Sequence, residues 1–257
     1  MDTPFLKADW RYLAMASFAV DPALLRPLVP PGTELDSYAG RDFVSVSGCL
    51  CQGTQAFGIR VPFQQNLEGV TLRFYVRRRM PGGLRRGVVI VHEIVPTRTA
   101  AWAARYIHGG TCQALSMRHA IERQEANLRV EYAWRRRGAW ESLKMQAVGI
   151  PQSFRKGSLE EFIAEHGWGY TARLGGCSEY RVQHPRWSFW PATGAELKCD
   201  VAALYGPEFV ESLTSSPASA FIADGSEVII GRRSPCPVED PADLIDLKDL
   251  RPPVFNS

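Results

Sequence analysis

The segment GVVIVHEIVP, residues 87–96, constrains the fold most, because it predicts a strand that is covered on both faces. Its β-branched residues favour a strand, and its closing proline cannot donate to a ladder. Strict alternation gives one face with Val88, Ile90, His92 and Ile94, and another with Val89, Val91, Glu93 and Val95. Both faces are mostly apolar, which indicates a barrel or sandwich interior. A covered carboxylate needs a partner or its pKa rises, and alternation leaves open whether His92 or Glu93 faces inward.

Most other segments also predict strands, and many of these strands pair as hairpins. Residues 70–79 and 87–96 form one predicted hairpin around Pro81-Gly82-Gly83, and residues 127–149 form another that turns near Arg137-Gly138. Further strands are predicted at residues 10–21, 41–50, 178–191 and 226–233. Short helices are predicted at residues 22–29 behind Asp21, at residues 159–166 behind the Ser158–Glu161 capping box, and at residues 206–213.

These elements predict a mainly β (α+β) chain with about eight or more strands, a few short helices and no βαβ alternation. The expected architecture is a single-domain antiparallel barrel or sandwich over residues 1–234. Residues 235–257, rich in Pro and Asp, are expected to lie over the surface as a tail.

Composition excludes several classes of function. The net charge is +3 and no apolar run is long enough for a membrane span, so a cytoplasmic protein without membrane or nucleic-acid partners is expected. The arginine runs at residues 77–79, 85–86 and 135–137 are interpreted as solvated hairpin ends. Six cysteines lack metal-ligand spacing, which favours reduced, buried thiols, and no cofactor or metal is predicted.

Two further patterns bear on chemistry. GWGYTA, residues 167–172, matches G-x-G-x-x-A but follows a predicted helix, so it is interpreted as a helix end and turn rather than a dinucleotide site. Alternation places Arg73 on one face with Thr71 and Tyr75, while Glu68 is a second internal charge. Glu68 and Arg73 form either a mutually satisfied pair or the polar floor of a ligand cavity.

Several motifs together resemble a known family. WRYLAMASFAVDPALLRPLVPPGTELD, PFQQNLEGVTLRFYV, RGVVIVHEIVP, EEFIAEHGWGY, EYRVQHPRW and ALYGPEF are similar to the YqjF-like bacterial proteins of unknown function, over roughly residues 5–232. Gly167 departs from the aromatic residue usual in that family. The family distantly resembles the acetoacetate decarboxylase superfamily, which implies a cone-like antiparallel β-barrel with a few peripheral helices and a small-molecule cavity.

The resemblance also implies site residues. The decarboxylase arginine falls on Arg11, its active-site glutamate on Glu68, and its lysine-bearing stretch on ARYIHGGTCQ, where Arg105 is kept and Cys112 or a neighbour replaces the lysine. No lysine lies between Lys7 and Lys144, so Schiff-base decarboxylation, which needs an amine of lowered pKa, is disfavoured.

The predicted catalytic set is therefore Glu68 for proton transfer, Arg11 and Arg105 for holding an anionic group, and Cys112 as a nucleophile or a packed thiol. Arg11, Glu68 and Arg105 are expected to converge on one cavity. The resulting hypothesis is a lyase, dehydratase or isomerase acting on an oxo or carboxylate compound. The alternatives are a non-catalytic binding protein that uses the same cavity, with an anionic small molecule as partner, and a filled barrel. A homo-oligomer is left open.

Overall fold

The fold is built from sixteen strands and five short α-helices in the described residues, which are 4–60, 66–174 and 176–236 of this computed structural model. The strands are β1 (Leu6–Val20), β2 (Glu34–Leu35), β3 (Asp42–Ala56), β4 (Ile59–Arg60), β5 (Asn66–Met80), β6 (Gly83–Val95), β7 (Thr111–Ala114), β8 (Ser116–Gln124), β9 (Asn127–Arg136), β10 (Ala139–Val148), β11 (Gln152–Ser153), β12 (Trp168–Arg173), β13 (Gly176–Gln183), β14 (Ser188–Lys198), β15 (Ser219–Ile230) and β16 (Ser234–Cys236). The helices are α1 (Pro22–Leu25), α2 (Arg98–His108), α3 (Leu159–Ala164), α4 (Val201–Tyr205) and α5 (Val210–Thr214), with 3₁₀ turns at Arg26–Leu28 and Pro207–Phe209.

Local sequence signals account for the helix starts that were predicted. The Asp21 carboxylate accepts a hydrogen bond from the Ala23 N–H at 2.8 Å and begins α1. The Ser158 hydroxyl accepts from the Glu161 N–H at 3.2 Å, while the Glu161 carboxylate accepts from the Gly157 N–H at 2.6 Å. This reciprocal pattern is close to the predicted capping box and fixes the start of α3.

One sheet closes on itself and forms a cone-like ring. Its strands follow the order β13-β12-β6-β5-β3-β1-β15, and the pairing of β13 with β15 closes the circuit. The ring is mainly antiparallel, which confirms the predicted fold class. Two short pairings, β6 with β12 and β6 with β7, are parallel and depart from the expected all-antiparallel pattern.

A second layer covers the outer face of this ring. The sheet continues from β15 through β14, β10, β9 and β8, and these strands fold back over the ring. Tyr132, Trp134 and Met145 of this layer belong to one buried cluster with Val46 and Leu72 of the ring. The other face of the ring surrounds the interior. Both faces of β6 are therefore covered, as its sequence predicts.

Two local predictions differ from the structure. Most of GWGYTA lies in strand β12, because residues 168–172 pair with β13. Helix α2 was not predicted. Its second half overlaps the stretch compared with the lysine-bearing segment, and Thr97 caps its start by accepting from the Ala100 N–H at 3.1 Å. Its small residues Ala100, Ala101 and Ala104 are buried, which lets the helix lie close against the ring.

The cysteine and arginine predictions also need correction. Cys177 and Cys236 form a disulfide that ties β16 to β13, whereas the other four cysteines are free thiols. The arginine hairpin ends are partly ion-paired rather than only solvated, because Glu179 accepts from Arg78 at 3.1 Å and from Arg85 at 2.8 Å. Strand β16 runs two residues past the predicted boundary at 234, and the rest of the predicted tail lies outside the described residues.

Gly225 in β15 packs against the bulge in β1, and its substitution should be strongly destabilising. Gly225, which pairs with Arg11 across β1 and β15, has a φ of +81°, and a Cβ there would lie 1.9 Å from the Trp10 carbonyl oxygen. Gly225→Ala combines a left-handed backbone with a backbone clash, so we expect it to lower the free energy of unfolding by at least ~2 kcal/mol. Urea denaturation measures this loss, with Gly194→Ala, where a Cβ meets open space, as the control. An unchanged midpoint for Gly225→Ala would show that the bulge relaxes freely.

Candidate functional site

The inner face of the ring encloses a cavity of about 180 Å³. This is smaller than the about 300–1,000 Å³ of pockets for drug-sized ligands, so it fits a small metabolite. Its walls are mostly apolar, with contributions from the ring strands, from α2 and from α3. The polar and titratable side chains along the lining are Ser47, Cys49, Cys51, Thr54, Glu68, Thr71, Arg73, Glu93, His108, His166, Tyr180 and His184.

A β-bulge in β6 decides which of its two polar residues faces the cavity. Leu72 pairs with His92 and Arg73 with Ile90, so Val91 is an extra residue without a partner in β5. The extra residue reverses the alternation, and Glu93 joins Ile90 on the cavity face. His92 points into the outer core, where its ring packs edge-on against Tyr205. Strict alternation placed Ile90 and His92 on one face, which is wrong beyond the bulge.

Glu93 lies near two further polar groups of the cavity, His108 at the end of α2 and Tyr180 in β13. His108 Nε2 is 3.7 Å from Glu93 Oε2, and His108 Nδ1 is 2.6 Å from the Tyr180 hydroxyl. A tyrosine hydroxyl that donates to Nδ1 places the imidazole proton on Nε2, the nitrogen that faces Glu93. Among the described residues, Glu93 Oε2 has no hydrogen-bond partner.

Burial controls the ionisation of this group. It raises the pKa of Glu93 to about 7, and it lowers the pKa of His108 to about 4 with a smaller contribution from the positive charge of Arg233. Burial also raises the pKa of Tyr180. Near neutral pH, His108 and Tyr180 are therefore uncharged, while Glu93 exchanges a proton with its surroundings. A carboxyl group with this pKa can act as either acid or base at pH 7.

Arg73 is the cationic group of the cavity. It projects from β5 on the face with Thr71, as alternation predicts, and Nη2 lies 3.4 Å from the Met15 sulfur. Its Nε atom is buried and has no hydrogen-bond partner in the described part of the chain. Arg73 and Glu68 do not form the mutually satisfied pair that was one of the two sequence-based alternatives.

His166 and Asp36 form a second polar group in the cavity wall. His166 follows α3, and its Nε2 is 3.1 Å from Oδ2 of Asp36, which lies between the 3₁₀ turn and β3. The exposed fractions of the two side chains are 1% and 0%. Arg86 Nε also lies 3.1 Å from this carboxylate. Burial lowers the pKa of His166, while Asp36 opposes that shift.

All four predicted site residues are among the described residues. Of these four, only Glu68 lies along the cavity. Its Oε1 is 2.7 Å from Nδ1 of His119 in β8. The expected partner was a guanidinium, but a histidine of the second layer occupies that place. Strand β8 reaches Glu68 because the layer folds back over β5, which local sequence patterns do not reveal.

The structure does not bring Arg11 to the cavity. Tyr12 has a φ of 51°, and one extra residue in β1 separates the pairs Arg11–Leu50 and Ala14–Gly48. Tyr132 donates a hydrogen bond to the Tyr12 carbonyl at 2.9 Å. Before this bulge the alternate residues Ala8 and Trp10 line the cavity, so Arg11 projects to the other face. There it pairs with Asp9 at 2.9 Å, and its side chain is 40% exposed.

Arg105 and Cys112 contact each other beside the cavity rather than in it. Arg105 is exposed on α2 and donates from Nη2 to the Cys112 carbonyl oxygen at 2.7 Å. Cys112 is buried with Ala101 and Ala104, and burial raises the pKa of its thiol to about 12. The expected convergence of Arg11, Glu68 and Arg105 is therefore not found, and their catalytic roles stay predictions.

The sequence reasoning missed His108, Tyr180, His166 and Asp36. Glu93 carried a signal, because a carboxylate in a strand covered on both faces needs an explanation. The other four lie in different elements, and only the closed ring brings them together.

Metal-binding clusters and membrane-spanning helices are both absent from the described residues. No group of three or more His, Cys, Asp or Glu side chains there could hold a metal ion. None of the helices there has the length and apolar character needed to cross a membrane. The cytoplasmic location, the absence of nucleic-acid partners and the oligomeric state stay predictions.

Solved structures with the same arrangement of strands define the class of protein. Acetoacetate decarboxylase from Legionella pneumophila subsp. pneumophila str. Philadelphia 1 has a TM-score of 0.62 and 13% identity, covering 93% of this chain and 91% of that one. An acetoacetate decarboxylase-like enzyme from Sphingomonas wittichii RW1 has a TM-score of 0.60 and 14% identity, covering 92% and 94%. The enduracididine biosynthesis enzyme MppR, complexed with pyruvate, has a TM-score of 0.62 and 10% identity, covering 93% of each chain. The chain has an acetoacetate-decarboxylase-like fold.

The family follows from the sequence. The family model of DUF2071, described as an uncharacterized conserved protein, matches residues 7–227, and the chain belongs to this family. This confirms the predicted YqjF-like resemblance. No protein of curated function matches the sequence.

Proposed function

We propose that the protein is a small-molecule enzyme that transfers protons on an oxo or carboxylate compound without forming a Schiff base. Arg73 holds the anionic group of the substrate, and Glu93 gives or takes the proton. The reaction class is that of a lyase, dehydratase or isomerase, as the sequence predicts. The non-catalytic binding protein remains the competing function.

One observation carries this proposal. Within one small apolar cavity, Nε of Arg73 and Oε2 of Glu93 are both buried without a hydrogen-bond partner in the described residues. Unpaired buried polar groups cost about 1–3 kcal/mol each, so structural groups are usually paired. A bound anion satisfies Arg73, and a substrate C–H or hydroxyl group next to Glu93 uses its free oxygen.

Glu93 is preferred to Glu68 for proton transfer because of their partners. Glu68 is hydrogen bonded to His119, whereas Glu93 has a free oxygen and a pKa near 7. His108 faces Glu93 with its protonated Nε2 and is oriented by Tyr180, so it can polarise the carboxyl group. Glu68 remains a second carboxyl group of the same cavity.

Hydrogen–deuterium exchange tests the proposal. Short straight-chain 2-oxo and 3-oxo acids, beginning with pyruvate, are incubated with the protein in D₂O, and NMR follows exchange at the carbon next to the carbonyl. We expect catalysed exchange with at least one of these acids, and its loss in Glu93→Gln. Tight binding of an acid with no exchange at any pH from 5 to 9 would support the binding protein instead.

The absence of a cavity lysine gives a separate prediction. No lysine is among the cavity-lining side chains of the described residues, and Lys7 and Lys144 are paired with Glu227 and Glu131. Borohydride treatment with pyruvate or acetoacetate should therefore leave the mass of the protein unchanged. The control is a decarboxylase with its lysine intact, which gains mass. A mass increase located at Lys7 or Lys144 contradicts the lysine-free reaction.

A further inference from the structure

The pair formed by Asp36 and His166 leaves a hydrogen-bond acceptor in the cavity wall. An ionised carboxylate only accepts hydrogen bonds, so the contact of 3.1 Å with Asp36 requires the proton of a neutral His166 on Nε2. Arg86 and Arg77 stand 3.1 Å and 4.0 Å from the same carboxylate, and their positive charges complement it. Nδ1 of His166 then carries a lone pair. It is buried and has no partner in the described residues.

The ring of His166 is held in one orientation, so this acceptor has a fixed direction. Its centroid lies 4.8 Å from the ring of Tyr75 and 4.9 Å from that of Phe162, and its exposed fraction is 1%. His166 lines the cavity. A buried polar atom in a fixed ring of a cavity wall is a feature that ligands recognise.

A donor without a partner lines the same cavity as this acceptor. Arg73 shares a face of β5 with Tyr75, the residue whose ring packs against His166, and Nε of Arg73 is also buried without a partner in the described residues. The positive charge of Arg73 also contributes to the lowered pKa of His166. The wall therefore presents a cationic donor and a neutral acceptor. A plain carboxylate satisfies only the donor, whereas a carboxylate with a hydroxyl on the next carbon satisfies both.

We propose that Arg73 and His166 form a subsite for a 2-hydroxy acid, with Arg73 binding the carboxylate and Nδ1 of His166 accepting a hydrogen bond from the hydroxyl group. The inference rests on the proposed function for its carboxylate anchor and adds the substrate class. The remaining, apolar walls receive the aliphatic part of the acid.

Three matched acids separate this inference from the proposed function. Hexanoate, 2-oxohexanoate and 2-hydroxyhexanoate are titrated into the full-length protein and followed by calorimetry. We expect 2-hydroxyhexanoate to bind roughly tenfold more tightly than the other two, since one buried acceptor gains its partner. Equal binding of all three overturns the 2-hydroxy acid subsite and leaves the carboxylate anchor intact. No binding of any of them overturns the anchor as well.

A variant and a spectroscopic measurement check the role of His166 itself. His166→Phe fills the same aromatic surroundings, and we expect it to bind hexanoate as before but to lose the tenfold preference. A preference that survives in His166→Phe contradicts the subsite. If that variant does not fold, the ¹⁵N chemical shifts of His166 in the unmodified protein decide the matter: an unprotonated Nδ1 supports the inference, and a protonated Nδ1 excludes it.

Discussion

Replacing Arg73 with methionine should abolish binding of short carboxylates and leave the barrel no less stable. The guanidinium has no carboxylate partner in the described residues, so its removal leaves no orphaned charge. We expect carboxylate affinity to fall by about 2–4 kcal/mol, the usual effect of deleting one partner of a buried charge pair. The free energy of unfolding should stay constant or rise by about 1 kcal/mol, because a partly buried guanidinium with an unpaired Nε is replaced by apolar volume. Calorimetric titration with hexanoate and urea denaturation measure the two quantities.

The control for this experiment is another arginine outside the cavity. Arg129 is exposed on β9 and forms an ion pair with Glu122 at 3.9 Å. Arg129→Met removes the same charge but should change neither binding nor stability by more than about 0.5 kcal/mol. A loss of several kcal/mol of stability in Arg73→Met, with carboxylate binding retained, would identify Arg73 as a structural residue and remove the anchor from the proposal.

The sequence predicts the architecture well, because strands and turns are specified locally. The alternation in β5 correctly placed Arg73 with Thr71, and the glycine-containing turn after Met80 correctly predicted the hairpin of β5 and β6. A strand with two apolar faces correctly predicted that β6 has packing on both sides. These features depend on neighbouring residues, whose periodicity is visible in a single sequence.

Bulges explain why the site was predicted less well. Successive side chains of a strand point to opposite faces of the sheet. Each extra residue therefore exchanges the two faces for the rest of the strand. Val91 reverses β6 and brings Glu93 inward, and the bulge at Tyr12 turns Arg11 outward. Neither bulge has a glycine or proline at the extra residue or beside it in its own strand. The bulge in β1 depends on Gly225 across the sheet and on Tyr132 of the second layer.

Carrying residues over from a distant resemblance failed for a related reason. At 9–14% identity to the solved structures, the closed ring is shared but the side chains that line it are not specified by pattern order. Arg105 kept its place in the motif, yet it binds a backbone carbonyl beside the cavity. The groups found in the cavity come from elements far apart in the chain, such as Asp36 and His166, which only the three-dimensional fold brings into contact.

The pH dependence of Glu93 gives the last prediction, and its sign follows from the raised pKa. Below pH 4.5 the carboxyl group is protonated in both the folded and the unfolded chain. Between pH 4.5 and about 7 only the unfolded chain ionises, so the free energy of unfolding falls as pH rises through this window. A shift of this size corresponds to about 3 kcal/mol, and Glu93→Gln should abolish that loss. His92 and His108 have pKa values lowered to about 4, so the free energy of unfolding falls as they become protonated at low pH. Their contribution is the same in Glu93→Gln and in the unmodified protein. The difference between the two free energies of unfolding at each pH therefore isolates the contribution of Glu93.

Activity should follow the same ionisation, which is what separates a catalytic carboxylate from a merely buried one. If Glu93 takes a proton from the substrate, deuterium exchange rises with pH and levels off above about 7, where the carboxylate is fully ionised. Glu93→Gln keeps the shape and should lower exchange by about 10²–10⁴-fold, the usual contribution of a general base.

Thr71→Val is the matched control, because Thr71 pairs with Glu93 across β5 and β6. This variant should retain the pH profile. Both curves depend on the folded-state pKa of Glu93, so the fall in stability must end at the pH where exchange is half-maximal. A fall in stability that ends near pH 7 together with exchange that is indifferent to pH would mean that Glu93 is buried without taking part in the reaction.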